Sequence, residues 1–206
     1  RPDLPGIRRA GHAAIALVIR TVTLRASLLA MTWGAAALGA TATATHQLAM
    51  TLWTFLAFAL DAIAIAAQAI TGRYLGAGDI PRTRAVTDQM VRWGLVSGVV
   101  TGALLAGSAA FLGPLFTPDA AAHDLLVPVL LVAALFQPVA GVVFVLDGVL
   151  IGAGDGRYLA WGGVAVLAAF VPVAWLALHL APAAHGLTWL WVAFGAAFMG
   201  SRGVVL

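Results

Sequence analysis

One carboxylate, Asp61, sits near the middle of a long apolar run from His46 to Gly72 (HQLAMTLWTFLAFALDAIAIAAQAITG). About 20 apolar residues carry a helix across the hydrocarbon core of a bilayer, so this run can span, and it takes an ionisable group with it. At membrane depth such a group is costly unless it faces a bundle interior or a wet cavity, which makes Asp61 a functional-site candidate. Composition agrees with lipid as the solvent. The chain is 62% hydrophobic and 9% charged, with mean hydropathy +1.00, whereas a soluble domain carries roughly 25% charged residues. A soluble core of fully buried helices is the alternative, and it leaves the chain without a surface.

The net charge of +3 does not point to nucleic acid. All basic residues are Arg, none forms a run longer than Arg8-Arg9, and no basic patch is interleaved with aromatics. The absence of Cys removes disulfides, thiol catalysis, zinc-thiolate sites and iron–sulfur clusters. The chain opens on Arg1-Pro2-Asp3 with no signal-peptide pattern, and its last apolar segment runs to Leu206 without a polar tail. It reads as a piece of a longer protein.

Six segments are long and apolar enough to span: 15–43, 48–71, 91–116, 125–151, 158–180 and 187–206. The expected fold class is therefore an all-α polytopic membrane protein. Arg20 and Arg25 fall in the opening turns of the first; either they snorkel to the interface or the span starts near Ala26. Arginines sit before span one (Arg1, Arg8, Arg9), between spans two and three (Arg73, Arg82, Arg84, Arg92), between four and five (Arg157) and near the end of six (Arg202). The alternate loops, Ala40–Gln47, Thr117–Asp124 and Ala181–Gly186, carry none. By the positive-inside rule both ends of this segment are cytoplasmic. Ile80-Pro81 opens a helix, read as a short interfacial one over Pro81–Gln89. Pro128 and Pro138 fall inside span four and Pro172 inside span five, where each removes a backbone hydrogen bond.

Polar residues recur every seven positions along span two: Gln47, Thr54, Asp61, Gln68. Seven residues are nearly two helical turns, with about 20° of drift, so the four form one slowly twisting stripe that should line a cavity or a protein contact. Asp61 is then a carboxylate that takes up and releases a proton or binds Na⁺, or else interhelical glue. Asp147, near the inner end of span four, is read as shallower than Asp61. It either caps a helix terminus or pairs with Arg157, or it joins a site. Gln137-Pro138 reads as a hinge with a polar lining. In span three, Gly94, Gly98, Gly102 and Ala106 form a small-residue ridge for close helix packing. Two joints echo each other, Leu75-Gly76-Ala77-Gly78-Asp79 and Ile151-Gly152-Ala153-Gly154-Asp155. Glycine ends a helix there and Asp can start the next; a phosphate loop needs a following Lys-Ser/Thr and a preceding strand, and has neither. Histidines at the edges of the Arg-free loops (His46, His123, His179, His185) are too dispersed to read as a metal site, and no catalytic motif occurs.

Together these residues resemble a known family. Leu60–Ala64 with Gln68–Asp79 looks like the eighth helix and following loop of MATE (multidrug and toxic compound extrusion) transporters. Phe144–Asp155, with Leu146-Asp147-Gly148 before its glycine joint, resembles their tenth helix in the DinF-type branch. Trp189-Leu190 with Ser201-Arg202-Gly203 is similar to that branch's twelfth. The resemblance implies twelve helices in two six-helix lobes, of which this chain is similar to the C-terminal one, 1–206, with the N-terminal lobe absent. It implies export of drugs, xenobiotics or other small, often cationic, organic molecules in exchange for H⁺ or Na⁺ by alternating access, with no cofactor. The expected location is a bacterial cytoplasmic membrane, and the partners are the bilayer, the missing lobe and the substrate. The branch's coupling carboxylate on its first helix has no counterpart here, and span one holds no acidic residue. Asp61, Gln47, Thr54, Gln68, Gln137 and Asp147 are thus cavity candidates from their placement alone, with spans one, two and four lining the cleft. The rival reading is an assembly subunit of a membrane complex without transport of its own. A membrane-embedded enzyme is a third; it needs an acid and a base at one depth.

Overall fold

Glycine decides where these helices stop. The computed structural model describes residues 4–116 and 119–206; Arg1, Pro2, Asp3 and Thr117, and the side chains of Arg8 and Arg9, lie outside the described residues. Helix α1 (Leu4–Ala37) gives way to α2 (Ala40–Gly76) at Gly39, which takes φ 110°, a conformation an L side chain resists. The turn is therefore at 38–39. The segment Ala40–Gln47, expected as a loop, forms the first two turns of α2, because nothing after Gly39 interrupts its hydrogen bonding. The helix α3 (Ile80–Phe116) is likewise continuous through Pro81–Gln89. Pro81 stands in the first turn, where its missing N–H is not needed, so no separate interfacial helix forms.

The two echoing joints share one geometry. Gly78 and Gly154 take φ 73° and 78°. The amides of Asp79 and Asp155 reach back to the carbonyls of Tyr74 and Leu150 at 3.0 and 3.1 Å, the helix-ending pattern that a left-handed glycine completes. Each Asp then caps the next helix: Asp79 accepts from the Arg82 amide at 3.1 Å and Asp155 from the Tyr158 amide at 3.2 Å. Helices α4 (Ala120–Gly152) and α5 (Gly156–Leu180) complete the long segments, α4 being capped by Asp119 on the Ala121 amide at 3.0 Å. Past a single 3₁₀ turn (Ala183–His185), α6 (Gly186–Ala193), a π-helical segment (Phe194–Met199) and α7 (Gly200–Val205) form one unbroken rod. Where described, the helical segments run longer than the predicted spans at most ends.

Helix α4 is the centre of the bundle. Half of its membrane-spanning window is buried, against 22% or less for α1, α2, α3 and α5. Its approach to α3 is backbone on backbone. A Cβ on Gly94, Gly98 or Gly102 would land on the carbonyl of Gly141, Gln137 or Ala134, so the ridge seen in the sequence faces α4. Such contact maximises dispersion where lipid offers no hydrophobic drive. On α2, the carbonyls of Ala64 and Gln68 press on Gly148 and Gly152 in the same way. Outward faces carry Trp33, Phe55, Phe111, Leu115 and Leu135, side chains suited to acyl chains.

Candidate functional site

Asp147 is the most connected polar group of the bundle. It is 7% exposed, and Arg20 of α1 and Arg202 of α7 both donate to its Oδ2, Arg20 at 2.8 Å. Each arginine is placed by its own helix. On α1, Thr23 hydrogen-bonds the Arg20 carbonyl at 2.8 Å, and Gly163 of α5, having no side chain, lets that turn come close. Arg202 is also 7% exposed; its guanidinium lies 5.9 Å from the centre of the Phe144 ring and 5.5 Å from that of Phe198, within reach of a cation–π contribution. Phe198 belongs to the π-helical segment, a form that recurs at functional sites. Gly195 in that segment leaves room for the Phe136 ring.

Four expectations change here. Asp147 pairs with Arg20 and Arg202, not Arg157. Arg20 does not snorkel and α1 does not begin near Ala26; the arginine turns inward because a buried carboxylate awaits it. Arg202, counted among the cytoplasmic-side arginines near the end of its span, is buried. Nor is Asp147 shallower than Asp61. Gly148 sits on Ala64 and Gly152 on Gln68, so α2 and α4 run parallel in step. Asp147 is then level with Ile63, within roughly 3 Å of the level of Asp61 at 1.5 Å rise per residue.

Both carboxylates line one cavity of about 240 Å³ between α1, α2, α4 and the last rod, walled also by Arg20, Trp53, Gln68, Phe144, Phe198 and Arg202. Asp61 is half-buried and, among the described residues, makes no ion pair or side-chain hydrogen bond. The heptad stripe splits. Gln68 and Asp61 line the cavity; Thr54 and Gln47 are exposed and lie outside it. Gln137 does not reach it either. It is 1% exposed, and its amide atoms have no partner among the described residues. His46 is no rim residue: it is fully buried, its Nε2 3.4 Å from the Thr32 hydroxyl and its ring 5.8 Å from Trp191, because the turn lies earlier than the hydropathy placed it.

Sequence reasoning missed Arg20 and Arg202 as site residues. The available signal was charge balance: the first and last apolar segments carry arginines (Arg20 and Arg25; Arg202) and the fourth carries one carboxylate, and lipid tolerates none of them alone.

With this geometry in place, comparison with known proteins is direct. The MatE family model matches residues 16–176. Protein DETOXIFICATION 42 of Arabidopsis thaliana is 33% identical over 170 residues, covering 82% of this chain and 31% of that protein. Protein DETOXIFICATION 45, chloroplastic, of the same plant is 29% identical over 188 residues, covering 89% and 32%. The chain thus spans about a third of the length of these relatives. Its fold matches an outward-facing multidrug resistance MATE family transporter of the MOP superfamily (TM-score 0.81, 18% identity, 96% of this chain and 42% of that one). It also matches a MOP superfamily transporter from Pyrococcus furiosus (TM-score 0.80, 18% identity, 96% and 42%). A multi-pass membrane chain of this architecture, matched over most of its length by that family model, belongs to the MatE family, whose members are transporters and not enzymes.

Proposed function

We propose that this chain is the C-terminal lobe of a DinF-type antiporter that exports small organic compounds, xenobiotics among them, in exchange for H⁺ or Na⁺. Relatives named for detoxification and a fold neighbour named for multidrug resistance support the export of such compounds. The arginine-rich ends of the helices are its cytoplasmic side, by the positive-inside rule, and the bacterial cytoplasmic membrane is its location. Asp61 and Gln68, with Asp147 and its two arginines, form the cavity wall of this lobe. Thr54 and Gln47 continue the stripe toward the cleft shared with the other lobe, and Gln137 before Pro138 is a hinge position behind it.

The observation that carries this reading is the unequal state of two carboxylates in one cavity. Asp147 is held by two guanidiniums; Asp61 is held by none. The four charged groups sum to zero while Asp61 is ionised and to one positive charge once it is protonated or has taken up Na⁺. In a low-dielectric cavity one unit of charge governs what can stay. Ionised Asp61 retains a cationic solute; neutralised Asp61 leaves one positive charge of the arginine pair in excess and expels it. Proton and solute therefore compete, and by linkage each weakens the other's binding equally. The sign is then fixed: solute affinity rises with pH through the titration of Asp61.

The test uses the full-length transporter in proteoliposomes. Asp61→Asn should lower ion-driven efflux per folded molecule more than Asp147→Asn, and should flatten the pH dependence of solute binding. Wild-type efflux in Asp61→Asn, with its pH dependence intact, removes Asp61 from the coupling step.

A further inference from the structure

A second cavity lies on the outer surface of the bundle, between α1 and α5, with a volume of about 570 Å³. Its walls are Ile15, Ala16 and Ile19 on one side and Trp161 and Val164 on the other, with Arg157 at one end. We infer that this groove binds one anionic phospholipid, its phosphate on Arg157 and an acyl chain along the apolar walls.

Three observations support this. The first is depth. Gly163 packs beside Arg20 and Thr23, which sets α1 and α5 side by side with Arg157 near the level of Ala16. The membrane-spanning stretch of α1 begins at Ala14, and α5 itself begins at Gly156. The Arg157 end of the groove is therefore at the membrane surface, and the rest runs inward for about two turns, roughly 10 Å. The second is charge. Arg157 is exposed and, among the described residues, forms no ion pair, unlike Arg20 and Arg202. Asp155, two residues earlier, is engaged as the cap on the Tyr158 amide. An unpaired guanidinium at headgroup depth complements a phosphodiester and can bind it through two N–H groups at once. The third is the wall itself. Trp161 is 72% exposed and stands one turn inward of Arg157, where an amphipathic indole sits at the headgroup boundary. Ile15 and Val164 complete an apolar channel that acyl chains fill without displacing protein. The start of α5 is anchored: the Tyr158 hydroxyl hydrogen-bonds the Val205 carbonyl of α7, tying it to the last helix.

The experiment is native mass spectrometry of the full-length transporter, released from nanodiscs of equimolar phosphatidylglycerol and phosphatidylcholine. The wild type should retain phosphatidylglycerol in preference by about five-fold, what one cation near an anionic headgroup contributes. Arg157→Gln should bring the two lipids to parity, and Arg157→Lys should keep most of the preference, which separates charge loss from misfolding. Val164→Trp, which fills the channel while leaving Arg157 in place, should reduce retention of both lipids. A preference that survives Arg157→Gln, or none in the wild type, overturns the assignment. So does an Ile19→Cys variant, on an otherwise cysteine-free full chain, that a membrane-dissolved maleimide cannot reach, since a protein segment then fills the groove.

Discussion

Two stretches of α4 are built in opposite ways. From Ala134 to Gly141 the helix meets α3 through backbone atoms, with Gly94, Gly98 and Gly102 removing every side chain that could keep the two apart. From Phe144 to Ile151 it opens onto a cavity that holds two carboxylates and two guanidiniums. The first stretch leaves no volume and offers no chemistry; the second has volume, charge and an unpaired acid. The seam teaches what the cavity needs. Charges can be held at membrane depth only on a frame that does not yield, because a buried ion pair is favourable only while its geometry is good.

Asp147→Asn is the most damaging change expected on either side of this comparison. It removes the carboxylate that Arg20 and Arg202 both bind, and breaking a buried pair costs about 3–5 kcal/mol. The full-length variant should melt well below wild type in detergent and reach the membrane in reduced amount. Adding Arg20→Met and Arg202→Met should recover most of that stability, since apolar replacements of a whole buried charge cluster are often neutral or stabilising. If Asp147→Asn melts like wild type, the three charges are not coupled as described.

Next in size is the seam. Gly98→Ala places a methyl group on the Gln137 carbonyl, where only backbone movement relieves it, and overpacking of this kind costs about 1–3 kcal/mol. Gly107, on the same helix, has nothing within 4 Å of the corresponding position. Gly107→Ala should be neutral or mildly stabilising, since Ala is the better helix former by about 1 kcal/mol. Thermal melts of the two variants, compared with each other, isolate close contact from helix propensity. Equal melting temperatures mean that the α3–α4 approach is looser than the backbone geometry shows.

The seam was legible in the sequence and the charge cluster was not, for a physical reason. A small-residue ridge repeats every four residues on a single helix, so local spacing reveals it. Asp147, Arg20 and Arg202 lie on three helices, 127 and 55 positions apart in the chain, and no periodicity connects them. The joint glycines read correctly because a positive φ is a demand on one residue. Gly39 was passed over because Ala40–Gln47 holds threonines, a histidine and a glutamine, which lower hydropathy without ending a helix; the turn was placed by polarity when backbone geometry decided it. The stripe on α2 was half legible. Its spacing is real, but the cavity takes only Asp61 and Gln68 from it, and Thr54 and Gln47 lie outside, because where the cavity sits depends on the neighbouring helices and not on α2.

The smallest effect on stability is expected at Asp61, and its sign is informative. A half-buried carboxylate without an ion pair or side-chain hydrogen bond adds little to the fold and carries a desolvation cost of its own. Asp61→Asn should therefore melt within about 1 kcal/mol of wild type, and Asp61→Leu should melt at the same temperature or higher, because residues kept for function commonly sit at a cost to stability. The contrast with Asp147 is the point of the measurement. The two groups share a cavity and a depth, so a difference in melting between Asp61→Leu and Asp147→Leu cannot arise from position in the membrane. It arises from their partners and from the deeper burial of Asp147. A fall in melting temperature for Asp61→Leu as large as that for Asp147→Leu shows Asp61 to be a structural tie, and the distinction between a fixed and a titrating carboxylate fails with it.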